Sequence, residues 1–182
     1  MGRRPATSRA DVVAAAAGLI ADQGVAGLQI AAVAQRLGVA VGTVYNHVPS
    51  KEALLSEVKE VVEQRFVDRL SAVAPPDVPL LDAVPALADT IVELSTVTAL
   101  VPRLLAVVSE DHDGDGTRIR AWMADRVRVA IDREEIPRAT PELVAAMTYA
   151  SVGAALAELA RGVSSAEIRD LIERVMRALL RT

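Results

Sequence analysis

Lys51 is the residue whose position most constrains the chemistry open to this 182-residue chain. Ser50 before it has the form of a helix cap, and Lys51 to about Val73 reads as one long helix. The lysine therefore lies in a first turn, where the positive end of the helix dipole disfavours a cation. An anion shared between its ammonium group and the free N–H groups of that turn reverses the penalty, and a nucleic-acid phosphate is such an anion. Just upstream, Val41, Gly42, Thr43, Tyr45, Asn46 and His47 lie on a second short helical segment. Asn46 can read adenine by paired hydrogen bonds, and Val41 can pack on a thymine methyl. His47 donates one hydrogen bond when neutral and adds a charge when protonated. This segment has no arginine or lysine, so reading of guanine by arginine is not expected from it.

Other chemistries are poorly supported. Asp111-His112-Asp113-Gly114-Asp115-Gly116 opens like a calcium loop, with oxygen ligands at positions 1, 3 and 5 and glycine at 6. Position 12, which must supply a bidentate carboxylate, is Trp122, so a solvated acidic loop is expected and no metal site. The absence of cysteine excludes disulfides, thiol catalysis and cysteine-bound zinc. The two histidines, His47 and His112, sit in different contexts, and no nucleophile elbow, phosphate loop or Glu-x-x-His pair occurs. Neither an enzyme nor a cofactor is expected.

The elements that must position Lys51 and its neighbours are helical. The chain is 52% hydrophobic, ample for a core, and its apolar residues are mostly Ala, Val and Leu without sustained alternation. Helices are expected from Ser8-Arg9-Ala10-Asp11, which has capping-box form, to about Gln23. Others cover about Ile30 to Leu37 before Gly38, about Val41 to His47 before Pro49, and Lys51 to Val73. Further helices cover about Leu80 to Thr96, where Pro85 marks a late start or a kink, Leu100 to Ser109, and Thr117 to Glu135. Thr140-Pro141 starts a helix reaching Arg161, and Ser164-Ser165-Ala166-Glu167 caps the last. The expected class is all-α with about nine helices.

Charge is unevenly placed. Residues 1–51 carry five basic groups (Arg3, Arg4, Arg9, Arg36, Lys51) against Asp11 and Asp22, a balance of +3, which leaves −7 on the remainder of a chain of net charge −4. A basic head on an acidic body fits a protein that meets phosphate at one end. Arg3, Arg4 and Arg9 could serve as an arm toward phosphate or a minor groove, or be simply solvated. The basic N-terminus lacks a convincing apolar core behind it, and no apolar run approaches the ~18–20 residues that span a bilayer. A cytoplasmic protein without a membrane partner is expected.

Residues 30–48 have the anatomy of a helix-turn-helix, with Leu37-Gly38-Val39 as the turn and Ala34 and Gly42 small enough for close packing. The stretch Val33-Ala34-Gln35-Arg36-Leu37-Gly38-Val39-Ala40-Val41-Gly42-Thr43-Val44-Tyr45-Asn46-His47-Val48-Pro49-Ser50-Lys51-Glu52-Ala53-Leu54-Leu55 resembles the DNA-binding signature of the TetR family of bacterial regulators. That pattern runs Ile-Ala, Gly-Val, a short polar turn, Leu/Val-Tyr, a spacer, His/Tyr-Phe and Ser-Lys-Glu-x-Leu. The resemblance implies a helix-turn-helix head at 1–50 and a ligand-binding and dimerisation body at 51–182. It also implies a homodimer on double-stranded operator DNA, a small-molecule effector that moves the heads, and repression as the commonest output. By the same pattern the Tyr45 hydroxyl donates to a phosphate, His47 approaches the backbone, and Thr43 touches phosphate or a base edge. A core tyrosine bracing the first helix and a solvated or helix-capping histidine are the plainer alternatives.

Three residues depart from the pattern. Gln29 and Ala40 stand where hydroxyl caps are usual, each at a loss of ~1 kcal/mol, and Val48 replaces a Phe. A helical ligand-binding or protein-interaction protein with a non-functional head therefore stays open. The small residues of the 140–161 helix and the apolar stripe of the last helix suit a four-helix interface between two subunits, or burial within one. Leu94, Thr98, Leu104, Trp122, Met123, Arg126, Met147 and Tyr149 lie on helices that would enclose a pocket of the family type, and an aliphatic lining suits an apolar effector.

Overall fold

The structure, a computed structural model, describes residues 7–97 and 117–181. Among these there is no strand. Eight α-helices are present: α1 (Arg9–Gln23), α2 (Ile30–Leu37), α3 (Val41–Tyr45), α4 (Lys51–Val73), α5 (Leu80–Val97), α6 (Thr117–Asp132), α7 (Pro141–Ala160) and α8 (Ser165–Arg181). A short 3₁₀ turn, Val25–Gly27, joins α1 to α2. The expected helix over 100–109, Thr98, Leu104, Arg3, Arg4 and the 111–116 loop lie outside the described residues.

Local chemistry explains most boundaries. Ser8 Oγ accepts from the Asp11 N–H at 3.1 Å while the Asp11 carboxylate accepts from the Ser8 N–H at 2.8 Å, a reciprocal cap. Gly38 closes α2 in the left-handed region (φ 68°), which lets the Val39 N–H reach back to the Ala34 carbonyl at 3.0 Å. Ser50 Oγ accepts from Ala53 N–H at 3.1 Å and Ser164 Oγ from Glu167 N–H at 3.2 Å, starting α4 and α8. Neither Gln29 nor Ala40 supplies a side-chain cap.

Several details differ from the sequence reading. The third helix ends at Tyr45, because the His47 N–H folds back on Val44 at 2.9 Å ahead of Pro49. Thr140 makes no side-chain cap, leaving Pro141 alone to suit the first turn of α7. The helix expected to Glu135 stops at Asp132, and Glu134 turns the chain at φ 58°. Pro85 lies inside α5. A proline there deprives the Leu81 carbonyl of its helical donor, and Arg177 Nη1 donates to that carbonyl instead at 3.2 Å.

The chain divides into two compact units, the first taking in residues up to 62 and the second 63–97 with 117–181. In the first, α1, α2 and α3 pack on one another around Val12, Ile20, Leu28, Val33, Val44, Val48, Leu54 and Val58, all fully buried. Each such valine contributes about 1.5–3 kcal/mol by burial. Val48 thus fills the position where the family pattern has Phe. In the second unit α6 packs on α7, α7 on α8 and α8 on α5. The inward stripe of α8 is Ile168, Ile172, Met176 and Leu180.

The outward side of α7 exposes Leu143 and Met147. The mean hydropathy of the helix is 1.5, which by length and composition alone is enough to cross a membrane, and 22% of that window is buried. Alanines, individually weak, carry much of that apolar character.

Candidate nucleic-acid interface

In α3 a one-turn spacing sorts the side chains. Val44 and, just beyond the helix, Val48 turn inward and are fully buried. Val41, Gly42, Tyr45 and Asn46 turn outward, and Thr43, His47 and Lys51 are half-buried. Tyr45 is 51% exposed, so it is no core tyrosine. The side chains of Thr43, Tyr45, Asn46 and Lys51 make no hydrogen bond or ion pair with the described residues. Their donors and acceptors are unengaged, on exposed Tyr45 and Asn46 and on half-buried Thr43 and Lys51. Gly42 has room as well: a Cβ placed there would meet nothing within 4 Å, so close packing against α2 is not what keeps this position small.

The other cations of this unit behave differently. Arg9 belongs to α1 and grips Glu57 of α4 with two hydrogen bonds, Nε at 2.7 Å and Nη2 at 2.6 Å. The pair holds the Glu57 carboxyl below its usual range and raises the Arg9 guanidinium. Arg36 pairs with Asp22 at 2.8 Å and lies across Gly18, where a Cβ would stand 3.0 Å from its Nη2. Both arginines brace α1 against its neighbours. Bonds from Ser8 depress the Asp11 carboxyl, and His47 lies near enough to depress it further. The Glu52 carboxyl is lowered by bonds from its own N–H and from Ser50 at the start of α4.

The expected pocket residues are dispersed. Met123 and Arg126 are buried; Leu94, Trp122 and Tyr149 are half-buried, and the Arg120 guanidinium lies 5.7 Å over the Tyr149 ring. Met147 is 47% exposed and shares the outward face of α7 with Leu143, so it is not brought together with Met123 and Arg126. A groove of about 330 Å³ runs between α7 and α8, lined by Ser151, Val152, Ala154, Ala155, Glu158, Leu171, Ile172 and Val175, and none of the expected pocket residues takes part. No cluster of three or more metal-ligating side chains occurs among the described residues.

Sequence reasoning missed Glu57 as the partner of Arg9. Nothing local marks it, because the pair spans 48 positions. The apolar face that α7 exposes, with Leu143 and Met147, lies on the helix that the sequence reading gave either to an interface between subunits or to burial within one.

Comparison with known proteins bears on both units. Residues 12–58 match the family model for bacterial regulatory proteins, tetR family. The transcriptional regulator FadR from Bacillus subtilis, solved with stearoyl-CoA, superposes with a TM-score of 0.76 at 15% identity, covering 95% of this chain and 98% of that one. A TetR-family transcriptional regulator from Pectobacterium atrosepticum gives 0.72 at 19% identity over 94% and 91%. SmeT, repressor of the Stenotrophomonas maltophilia multidrug efflux pump SmeDEF, gives 0.65 at 22% identity over 96% and 87%. At these identities the likeness establishes the fold. No curated protein matches the chain.

Proposed function

From the premise that this chain belongs, through residues 12–58, to the tetR family of bacterial regulatory proteins, we propose that it is a ligand-responsive DNA-binding transcriptional regulator. It works as a homodimer and represses until a small-molecule effector releases it. The observation that carries the reading is the outward surface of α3, whose unengaged Tyr45, Asn46 and Thr43 adjoin Lys51 on the first turn of α4. Residues 1–50 form the reading head and 51–182 the effector-binding and dimerising body. Lys51 and Tyr45 hold phosphates, His47 approaches the backbone, Asn46 and Val41 meet base edges, and Gly42 lets the helix lie close.

A dimer through α7 and α8 is supported by the groove between them and by the exposure of Leu143 (59%), Met147 (47%) and Leu171 (37%). Large apolar side chains grouped in this way mark surfaces that meet a partner. A second copy is the occupant that would bring two heads to successive turns of DNA. An effector held in the body is supported by the like-folded FadR with its stearoyl-CoA. The missing caps at Gln29 and Ala40 favour one rival, a helical ligand-binding protein whose head no longer reads DNA.

Selection of duplexes from a randomised pool separates the two readings. The regulator enriches one twofold-symmetric sequence with half-sites ~10–10.5 base pairs apart, or a multiple of that. The rival enriches none and binds any duplex equally weakly.

A further inference from the structure

Arg126 is the one charged side chain buried among the described residues, at 5% exposure. It stands on α6 with Met123 and Ala130 one turn away on either side and Val127 next to it, and all three are buried. Its Nη2 donates to the Val78 carbonyl at 2.9 Å. Its Nε–H is sealed from solvent and has no acceptor. No carboxylate among the described residues pairs with it. Glu135 and Asp77 act on it only through space, and Arg133 repels it. Glu135 is engaged elsewhere, accepting from the Leu80 N–H at 2.9 Å, and Asp77 is exposed to water. Arg133 donates to the Pro76 carbonyl in the same connection, and its charge is matched by Glu135 at 3.8 Å.

A buried charge without a hydrogen-bonded counter-charge is strongly unfavourable, and arginine does not escape by losing its proton. Burial pushes this guanidinium down from its ordinary value, and an arginine side chain keeps its charge at neutral pH. The missing component is an anion. We propose that Arg126 anchors the carboxylate of a small-molecule ligand with an apolar body, accepted from Nε–H, with the aliphatic side chains of α6 against the rest. A single sealed nitrogen without an acceptor and an aliphatic surround suit one negative charge better than the two of a phosphate. The proposal rests on the reading of the body as an effector domain and adds the chemical class of the effector.

Thermal unfolding of the full chain tests it with acetate, octanoate, benzoate and inorganic phosphate, and with octanol as the uncharged counterpart. The expected result is that octanoate or benzoate raises Tm saturably, by about 5–10 °C at a hundredfold excess over Kd. Octanol and phosphate do not, Arg126→Gln abolishes the response, and Arg126→Lys keeps part of it. No response to either carboxylate, an equal response to octanol, a larger response to phosphate, or a response that survives in Arg126→Gln overturns the proposal. So does an Arg126→Gln chain that fails to fold, since the arginine is then a structural clamp. Operator binding is measured separately. Specific DNA binding without a carboxylate response sinks this inference alone, and a carboxylate response without specific DNA binding sinks the regulator reading alone.

Discussion

In the unit that ends at residue 62, arginines lie at the surface and are matched, Arg9 to Glu57 and Arg36 to Asp22, while the polar groups of α3 face outward unengaged. The unit of residues 63–97 and 117–181 has matched surface arginines too, among them Arg128 with Glu142 and Arg169 with Asp170, but it adds one that is buried and unmatched, Arg126, and apolar side chains of α7 that face outward. The first pattern suits a polar partner that the head meets without deforming, because its own charges hold α1 and α4 in place. The second suits an apolar partner outside and an anion inside. Exposed ion pairs of this kind add little stability, so their contribution is to orientation.

The largest effect that sharpens this contrast is on assembly. Leu143→Arg with Leu171→Arg places two charges on the exposed face of the α7–α8 pair. The expected outcome in sedimentation is a monomer with self-association weakened roughly a hundredfold and helix content retained, as exposed positions tolerate change. A persistent dimer would locate the interface elsewhere. Next comes the head core: Ile20→Ala, fully buried, loses about 2–5 kcal/mol in urea unfolding of the head. Loss of less than 1 kcal/mol would show that this core is not packed as described.

A smaller effect is on acid stability. The Glu57 and Asp11 carboxyls are depressed in the folded chain by Arg9 and Ser8. The unfolded chain therefore binds more protons in mild acid. The resulting stability is present above the unfolded pKa near ~4 and is lost as pH falls through the folded values. Tm followed from pH 5 downward is expected to fall less steeply in Glu57→Gln with Asp11→Asn, and equal slopes would remove these two groups from the acid response. Smallest is Gly42→Ala, where the open space predicts unchanged or slightly raised stability, by up to ~1 kcal/mol. Specific DNA binding should nonetheless weaken, and undiminished affinity would mean that the duplex does not approach this position closely.

Where a boundary depends on residues within one turn of it, the sequence was sufficient. Ser8 with Asp11, Gly38, and Ser50 before Lys51 announce caps that the structure contains. Where the cause is distant, it was not. Pro85 is tolerated inside α5 because Arg177 serves the carbonyl it strands, 96 positions away. The burial of Arg126 follows its position on an apolar stripe, but the lack of a counter-charge depends on where Glu135 and Asp77 fall in space. For α7 the sequence left two readings, an interface between subunits or burial within one, because an alanine-rich helix reads alike in a core and on an uncovered face. At the interface, the outward set of α3 was legible from one-turn spacing, whereas the engagement of Arg9 with Glu57 was not.

The central claim is that α3 and Lys51 form a surface that grips DNA phosphates. It is tested most directly by titrating wild-type protein and Lys51→Ala against the selected duplex by fluorescence anisotropy at several salt concentrations. Each head is expected to lose one phosphate contact, so the slope of log K against log salt should become shallower by about 1.8 per dimer, with weaker binding at low salt. An unchanged slope and affinity in Lys51→Ala would contradict the account.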